Sequence, residues 1–309
     1  MRIDDALVTK KLSNLIKNKQ NMFERVLVPV DFSECSNQLV KNLPKLINEI
    51  EVKKVYLVKV INTFKFVGVS SGFDFTTWLR DEELKTKNKL KEFIDYLTSH
   101  GIDAEFISPI PIGDPVSEIM KVIDNLKISL VILGTRGKSV FKEILLGSVS
   151  EGILRLSKVP VMLFRCKLEK INEKKMCTLL TPDKIFEKII YAHDLTENSE
   201  KVKNCLLKIK NIDKSEIILL HVIESRDVNL NDVETRLKDV AKTIKAKNVK
   251  ILIKFGSPHK EILKVASDEK ATLIAMGSRG IGFLESLIIG STSETVARYT
   301  EKPLLVCKG

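Results

Sequence analysis

GDPVSEIMKVIDNLKISLVILGTRG (Gly113–Gly137) and GSPHKEILKVASDEKATLIAMGSRG (Gly256–Gly280) lie over one another without a gap. The register runs on: LLGSVSEGILRLSKVPVMLF (Leu145–Phe164) falls on IIGSTSETVARYTEKPLLVC (Ile288–Cys307) at the same offset. Upstream, RVLVPVDFSECS (Arg25–Ser36) matches KIIYAHDLTENS (Lys188–Ser199), and YLVKVI matches LLHVIE less strictly. The repeating unit is close to half the chain, too long for a solenoid repeat and the right size for a duplicated domain.

Within each unit short apolar runs alternate with amphipathic stretches. Strands are predicted over Val26–Val30, Val55–Ile61, Ala104–Ser108, Leu130–Leu133 and Val161–Phe164. They recur over Ile189–His193, Ile217–Ile223, Lys250–Lys254, Thr272–Met276 and Leu304–Cys307. Continuous apolar strands separated by helices imply a parallel sheet buried on both faces, with right-handed crossovers. The expected fold is α/β, two doubly wound domains in tandem. The boundaries follow: an N-terminal extension over 1–22, a first domain over 23–167, a charged linker over 168–185 and a second domain over 186–309. The extension carries Ile3, Leu7, Leu12, Leu15 and Ile16 at loosely helical spacing. An insertion confined to the first unit, TFKFVGVSSGFDFTTWLRDEEL, gathers Phe64, Phe66, Phe73, Phe75 and Trp78. Too apolar for a free linker, it reads as an interface or a plug over the first core, with a lid over a ligand as the other reading.

The fourth strand of each unit leads into a glycine loop. The first reads Gly134-Thr-Arg136-Gly137, nine residues, then Gly147-Ser148-Val149-Ser150. The second reads Gly277-Ser-Arg279-Gly280, nine residues, then Gly290-Ser291-Thr292-Ser293. Glycine at a strand end permits a left-handed turn and a close approach of ligand to backbone. Gly147-Ser148 and Gly290-Ser291 stand where the last helix begins, and there unpaired N–H groups and the helix dipole favour an anion. The serine hydroxyls and the Arg136 and Arg279 side chains can add donors to a phosphate. The alternative is that the serines only cap their helices, worth about 1 kcal/mol each. Two copies at identical spacing favour the shared role.

This spacing, G-x2-G-x9-G-[ST], with an early V-x-x-x-D strand end, resembles the universal stress protein family, over nearly all of both repeats. The resemblance implies a five-stranded parallel sheet in order 3-2-1-4-5 in each unit, with a ligand at the switch point between strands one and four. It implies ATP or AMP as the bound cofactor, with Mg2+ or Mn2+ able to accompany a triphosphate through its own oxygens. Pro29, Val30 and Asp31 match positions around adenine and ribose, Val60 and Leu133 positions against the base, and Gly134, Gly137, Gly147, Ser148, Val149 and Ser150 the phosphate positions. The second unit supplies Ala192, His193, Asp194, Val222, Met276, Gly277, Gly280, Gly290, Ser291, Thr292 and Ser293. A carboxylate such as Asp31 can accept ribose hydroxyls or cap the following helix. The resemblance further implies that the two domains pair along their last strands within one chain, and leaves a homodimer open.

The two sites differ. The first has Pro29 and, after Gly137, Lys138-Ser139; the second has Ala192 and Ile281-Gly282. Losing a cation beside a polyphosphate weakens the hold on the more highly charged nucleotide, and Ala for Pro loosens the strand end. The first site is expected to favour ATP; the second is expected to prefer AMP, bind weakly or stay empty.

Other classes fall away. The chain of 309 residues carries a net charge of +11 and a pI near 9.2, but its lysines are interleaved with acids and aromatics are only 6%, so no nucleic-acid surface is expected. No apolar run is long enough to span a bilayer, and no membrane partner is expected. Five cysteines without a CxxC pair, and a start without a secretory signal, point to a reducing cytoplasm. There is no GxxxxGK[ST], no HExxH and no evident metal set around His193 and His221. No catalytic residue is identified. The expected function is an adenine-nucleotide-binding stress or regulatory protein; a slow ATPase or nucleotidyl-transfer enzyme and a non-binding scaffold are the alternatives.

Overall fold

The computed structural model describes residues 23–64, 74–136, 146–171, 174–225, 228–278 and 289–308. The first repeat contributes β1 (Phe23–Pro29), α1 (Glu34–Glu49), β2 (Val52–Val58), α2 (Phe75–Ser99), β3 (Ala104–Phe106), α3 (Pro115–Asn125), β4 (Leu130–Arg136), α4 (Ser148–Leu156) and β5 (Val161–Ile171). A further strand, β6 (Lys174–Leu180), follows. The second repeat gives β7 (Lys188–Ala192), α5 (Glu197–Leu206), β8 (Glu216–Ile223), α6 (Leu230–Lys242), β9 (Asn248–Phe255), α7 (Pro258–Asp268), β10 (Leu273–Gly277), α8 (Ser291–Tyr299) and β11 (Leu304–Cys307).

The strands form one sheet in the order β3-β2-β1-β4-β5-β11-β10-β7-β8-β9, with β6 on the far part of β5. Each half is the expected 3-2-1-4-5 parallel arrangement. Their last strands join antiparallel, Leu163 opposite Leu304, Met162 opposite Leu305 and Val161 opposite Val306. Met162 and Leu305 are equivalent in the repeat, so a local two-fold passes between them. Alternate side chains feed two cores: Val26, Val28, Ile189 and Tyr191 on one face, Leu27, Val131, Ile190 and Ile274 on the other. Both cores run through both repeats, which is why every strand residue at the join is apolar.

The segment expected as a charged linker is largely a strand. Cys177 and Leu179, two apart on one face of β6, are buried against α1 and the first core, and β6 pairs with β5 from Arg165–Leu180 to Ile171–Lys174. Pairing with β6 also carries β5 beyond the expected end at Phe164. Part of the aromatic insertion is the start of α2, capped by Asp74; Trp78 packs against the core with the Phe75 ring 5.7 Å away, while Phe64 is exposed. Phe66, Phe73 and the 1–22 extension lie outside the described residues.

Candidate functional site

At the carboxyl ends of β7 and β10, where the strand order of the second repeat reverses, the chain leaves a cavity of about 440 Å³. That is a volume suited to a small molecule, in the place where open α/β sheets bind ligands. Its lining is apolar at Ala192 from the end of β7, Val222 from β8, Met276 from β10 and Pro258 and Ile262 of α7. It is polar at Asp194 and at the start of α8, through Ser291, Thr292 and Ser293, with the glycine backbone of Gly277 and Gly290 beside them. The sequence-predicted residues of this repeat that are described all line the one cavity; Arg279 and Gly280 lie outside the described residues.

The start of α8 is held without a side-chain cap. Helices α1, α2, α3, α5 and α6 are each capped by a side chain, Ser33, Asp74, Asp114, Thr196 and Asn229 in turn. α4 begins after Gly147, α7 after Ser257 and α8 after Gly290, none with a side-chain cap. The serines therefore do not serve as caps. The Ser293 hydroxyl donates to the Gly277 carbonyl at 2.8 Å, and Gly290 N–H donates to the Ser278 carbonyl at 2.8 Å. These bonds fix the first turn of α8 against the end of β10, and the residues of that turn, whose N–H groups have no partner in the helix, line the cavity. Ser293, expected as a phosphate donor, spends its proton on this bracing.

The glycines do different jobs. Gly147 has φ +85° and needs to be glycine on backbone grounds; Gly290, with φ −69°, does not. Gly134 lies inside β4 and makes no left-handed turn, and a Cβ there would meet Leu39 and the Cys35 carbonyl only at ordinary contact distance, 3.6 and 3.7 Å. The turn expected at Gly134 is thus absent, and its lack of a side chain leaves the backbone approachable.

Both carboxylates sit one residue before a strained position. Phe32 and Leu195, equivalent in the repeat, each have φ +62°. Such a conformation is costly for a bulky residue and persists where surrounding structure enforces it. Sequence reasoning missed it because nothing but glycine or asparagine advertises a left-handed residue. The turn lets Asp31 accept from Ser33 N–H at 2.9 Å and Asp194 from Thr196 N–H at 3.1 Å. Neither aspartate is a helix cap; Ser33 and Thr196 are. Partial desolvation pushes the Asp31 carboxyl up, but hydrogen bonds from Ser33 and Ser36 outweigh it and hold the group below the usual carboxylate range. On Asp194, Oδ1 takes the Thr196 N–H, the Thr196 hydroxyl at 2.6 Å and the Ser199 hydroxyl, leaving Oδ2 without a donor among the described residues.

His193 is 3% exposed at the cavity wall. Its Nδ1 accepts from Leu195 N–H at 3.0 Å, which puts the proton of the neutral ring on Nε2, and that nitrogen has no partner among the described residues. Burial pushes its pKa down to about 4. His221 Nδ1 bonds the His193 carbonyl oxygen at 2.7 Å, so the two rings do not converge on a shared ion.

In the first repeat Val30, Val60 and Leu133 are buried in the equivalent region, Pro29 ends β1, and Gly147 to Ser150 open α4 with Ser148 exposed and Val149 and Ser150 half-buried. Arg136 ends β4, its side chain outside the description, and Gly137, Lys138 and Ser139 lie outside the described residues, as do Ile281 and Gly282.

The model of the Universal stress protein family matches residues 22–165 and again 186–308. Universal stress protein MJ0577 of Methanocaldococcus jannaschii is 32% identical over 155 residues, 40% of this chain and 96% of that protein. Universal stress protein YxiE of Bacillus subtilis is 30% identical over 150 residues, 47% of this chain and all of that protein. Each relative thus corresponds to one repeat. The crystal structure of a universal stress protein from Archaeoglobus fulgidus superposes with a TM-score of 0.71 at 32% identity, covering 92% of this chain and 98% of that one.

Proposed function

The chain belongs to the universal stress protein family, and from that premise we propose that it is a regulatory protein holding an adenine nucleotide in each repeat. The observation that carries this reading is the start of α8, without a side-chain cap, in the lining of a 440 Å³ cavity that also presents Val222, Met276 and Asp194. An uncapped helix N-terminus suits phosphate; the apolar lining at Val222 and Met276 suits a purine; Asp194 Oδ2 suits a ribose hydroxyl. Nothing else in the second repeat asks for all three at once. His193 Nε2 is a buried donor awaiting an acceptor, which a ligand at that wall can bring within reach. The first repeat offers the same order of groups in Val30, Asp31, Val60, Leu133, Gly147 and Ser148. There Pro29 and Lys138 favour ATP, with Mg2+ or Mn2+ carried on the phosphates, while Ala192 and Ile281 leave the second site better matched to AMP.

The test is direct. Mass spectrometry of nucleotide released from freshly purified chain, followed by calorimetric titration of stripped protein with ATP and AMP, is expected to give up to two sites. Thr292→Glu places a carboxylate in the first turn of α8, where it favours the helix and repels phosphate. It is expected to leave folding intact and weaken the second site at least tenfold. Unchanged binding in that variant overturns the reading of the second site.

A further inference from the structure

Three of the five cysteines meet in one place. Cys35 stands in the first turn of α1, Cys166 on β5 and Cys177 on β6, and their sulfurs all lie within 4.8 Å of one another. Cys35 Sγ and Cys177 Sγ are 3.1 Å apart, and Cys166 Sγ reaches the Cys35 carbonyl at 3.7 Å. Cys35, Cys166 and Cys177 are 6%, 0% and 4% exposed. Among the described residues this is the one group of three or more His, Cys, Asp and Glu donors close enough to share an ion, and it contains sulfur only. It belongs to neither nucleotide crevice. It exists only because β6 folds back along β5 and lays Cys177 on α1.

We propose that Cys35, Cys166 and Cys177 form a three-sulfur site for a soft monovalent cation, copper(I). A trigonal centre with metal–sulfur bonds of about 2.3 Å has sulfurs about 4 Å apart, inside the spread seen here once Cys35 and Cys177 part by about 1 Å. Zinc in structural sites takes four ligands, and iron–sulfur clusters take four cysteines. Calcium and magnesium want oxygen. Three buried thiol sulfurs, with no oxygen or nitrogen donor in the group, suit copper(I) among the soft ions.

The charge balance fits burial. Two thiols release their protons to water and bond copper as thiolates; the third bonds through a lone pair and keeps its proton; no electron is transferred, and one net negative charge is buried. Cys35 in the first turn of a 16-residue helix brings the positive end of the helix dipole to that charge.

The experiment uses the full chain, reduced and anaerobic, loaded with copper(I) from a cuprous chelator and desalted against the same chelator. One copper per chain, with near-ultraviolet sulfur-to-copper absorption and an X-ray absorption spectrum showing three sulfur neighbours, is the expected result. Cys166→Ala and Cys177→Ala are expected to retain none; Cys205→Ala, a buried thiol of the second repeat, retains it. The absorption spectrum of unmutated protein decides the matter should the variants fold poorly. Loss of all copper to the chelator, retention by Cys177→Ala, or a neighbour shell without three sulfurs overturns the proposal. So does a chain that forms a Cys35–Cys177 disulfide and binds no copper after reduction.

Discussion

Arg165 Nη2 lies 2.8 Å from the carbonyl oxygen of Ala297. The two residues belong to different repeats, and the same guanidinium also donates to Arg298 O at 2.6 Å and Thr300 O at 3.1 Å. A cation 4% exposed thus closes the C-terminal end of α8, where carbonyls lack helical partners and the dipole is negative. Burial pushes the guanidinium below its ordinary value, with Glu301 acting the other way, but arginine remains charged at neutral pH. The register that lays Gly147 on Gly290 lays Arg165 on Lys308 and Leu154 on Ala297. Lys308 Nζ indeed donates to Leu154 O, at the end of α4. The repeats clamp each other reciprocally.

Removing the stronger half of the clamp should be costly. Arg165→Met keeps the apolar volume and strips three hydrogen bonds from carbonyls that are buried or part-buried, an expected loss of about 2–4 kcal/mol in urea unfolding. Lys308→Met, at a half-buried site, should cost about 1 kcal/mol. Equal effects, or none from Arg165→Met, refute the assignment of the main inter-repeat clamp to Arg165.

Between these helix ends runs a second symmetric device. Arg155 pairs with Glu151 in its own repeat at 3.2 Å and with Glu294 across the join at 3.0 Å; Arg298 pairs with Glu294 at 3.1 Å and Glu151 at 3.7 Å. These side chains are part-exposed, so each pair is worth little alone. A double-mutant cycle on Arg155 and Glu294 should give a coupling of about 0.5–1 kcal/mol that shrinks in high salt; a coupling indifferent to salt would contradict an electrostatic origin.

Much of this was legible in the chain. The repeat gave the duplication, and uninterrupted apolar strands gave a sheet buried on both sides. The pairing of last strands followed from the family resemblance, not from the residues. β6 was hidden because KKMCTLL stands in a charged stretch and shows its period of two only at Cys177 and Leu179. The strained turns at Phe32 and Leu195 were hidden because neither residue type signals a left-handed backbone. The site residues near 192–194, 276–277 and 290–293 gather as a set since they all stand at strand or helix ends on one edge of the sheet.

The two helix-opening glycines should separate by mutation. Gly147→Ala forces a side chain onto φ +85° and is expected to cost about 1–2 kcal/mol of stability. Gly290→Ala at φ −69° carries no such backbone cost and should lose less stability than Gly147→Ala. Thermal or urea unfolding of both variants checks the contrast, and equal losses would show that φ is not what selects glycine at 147.

His193 makes the second repeat sensitive to acid. An imidazole in the unfolded chain titrates near 6.5, whereas burial holds His193 at about 4 in the fold. Between those values the unfolded chain binds a proton that the folded chain refuses. Its contribution is therefore fully present above about pH 6.5 and lost as pH falls toward 4, on the order of 3 kcal/mol in all. The equivalent residue of the first repeat is Val30, which has nothing to titrate. His193→Val should leave stability at pH 7 near that of the parent, since an unpaired Nε2 donor is removed while Leu195 N–H loses its acceptor. Urea unfolding from pH 7 to pH 4.5 should then show a visibly flatter acid limb in the variant. Parallel pH profiles for the two proteins would mean that the acid sensitivity lies elsewhere.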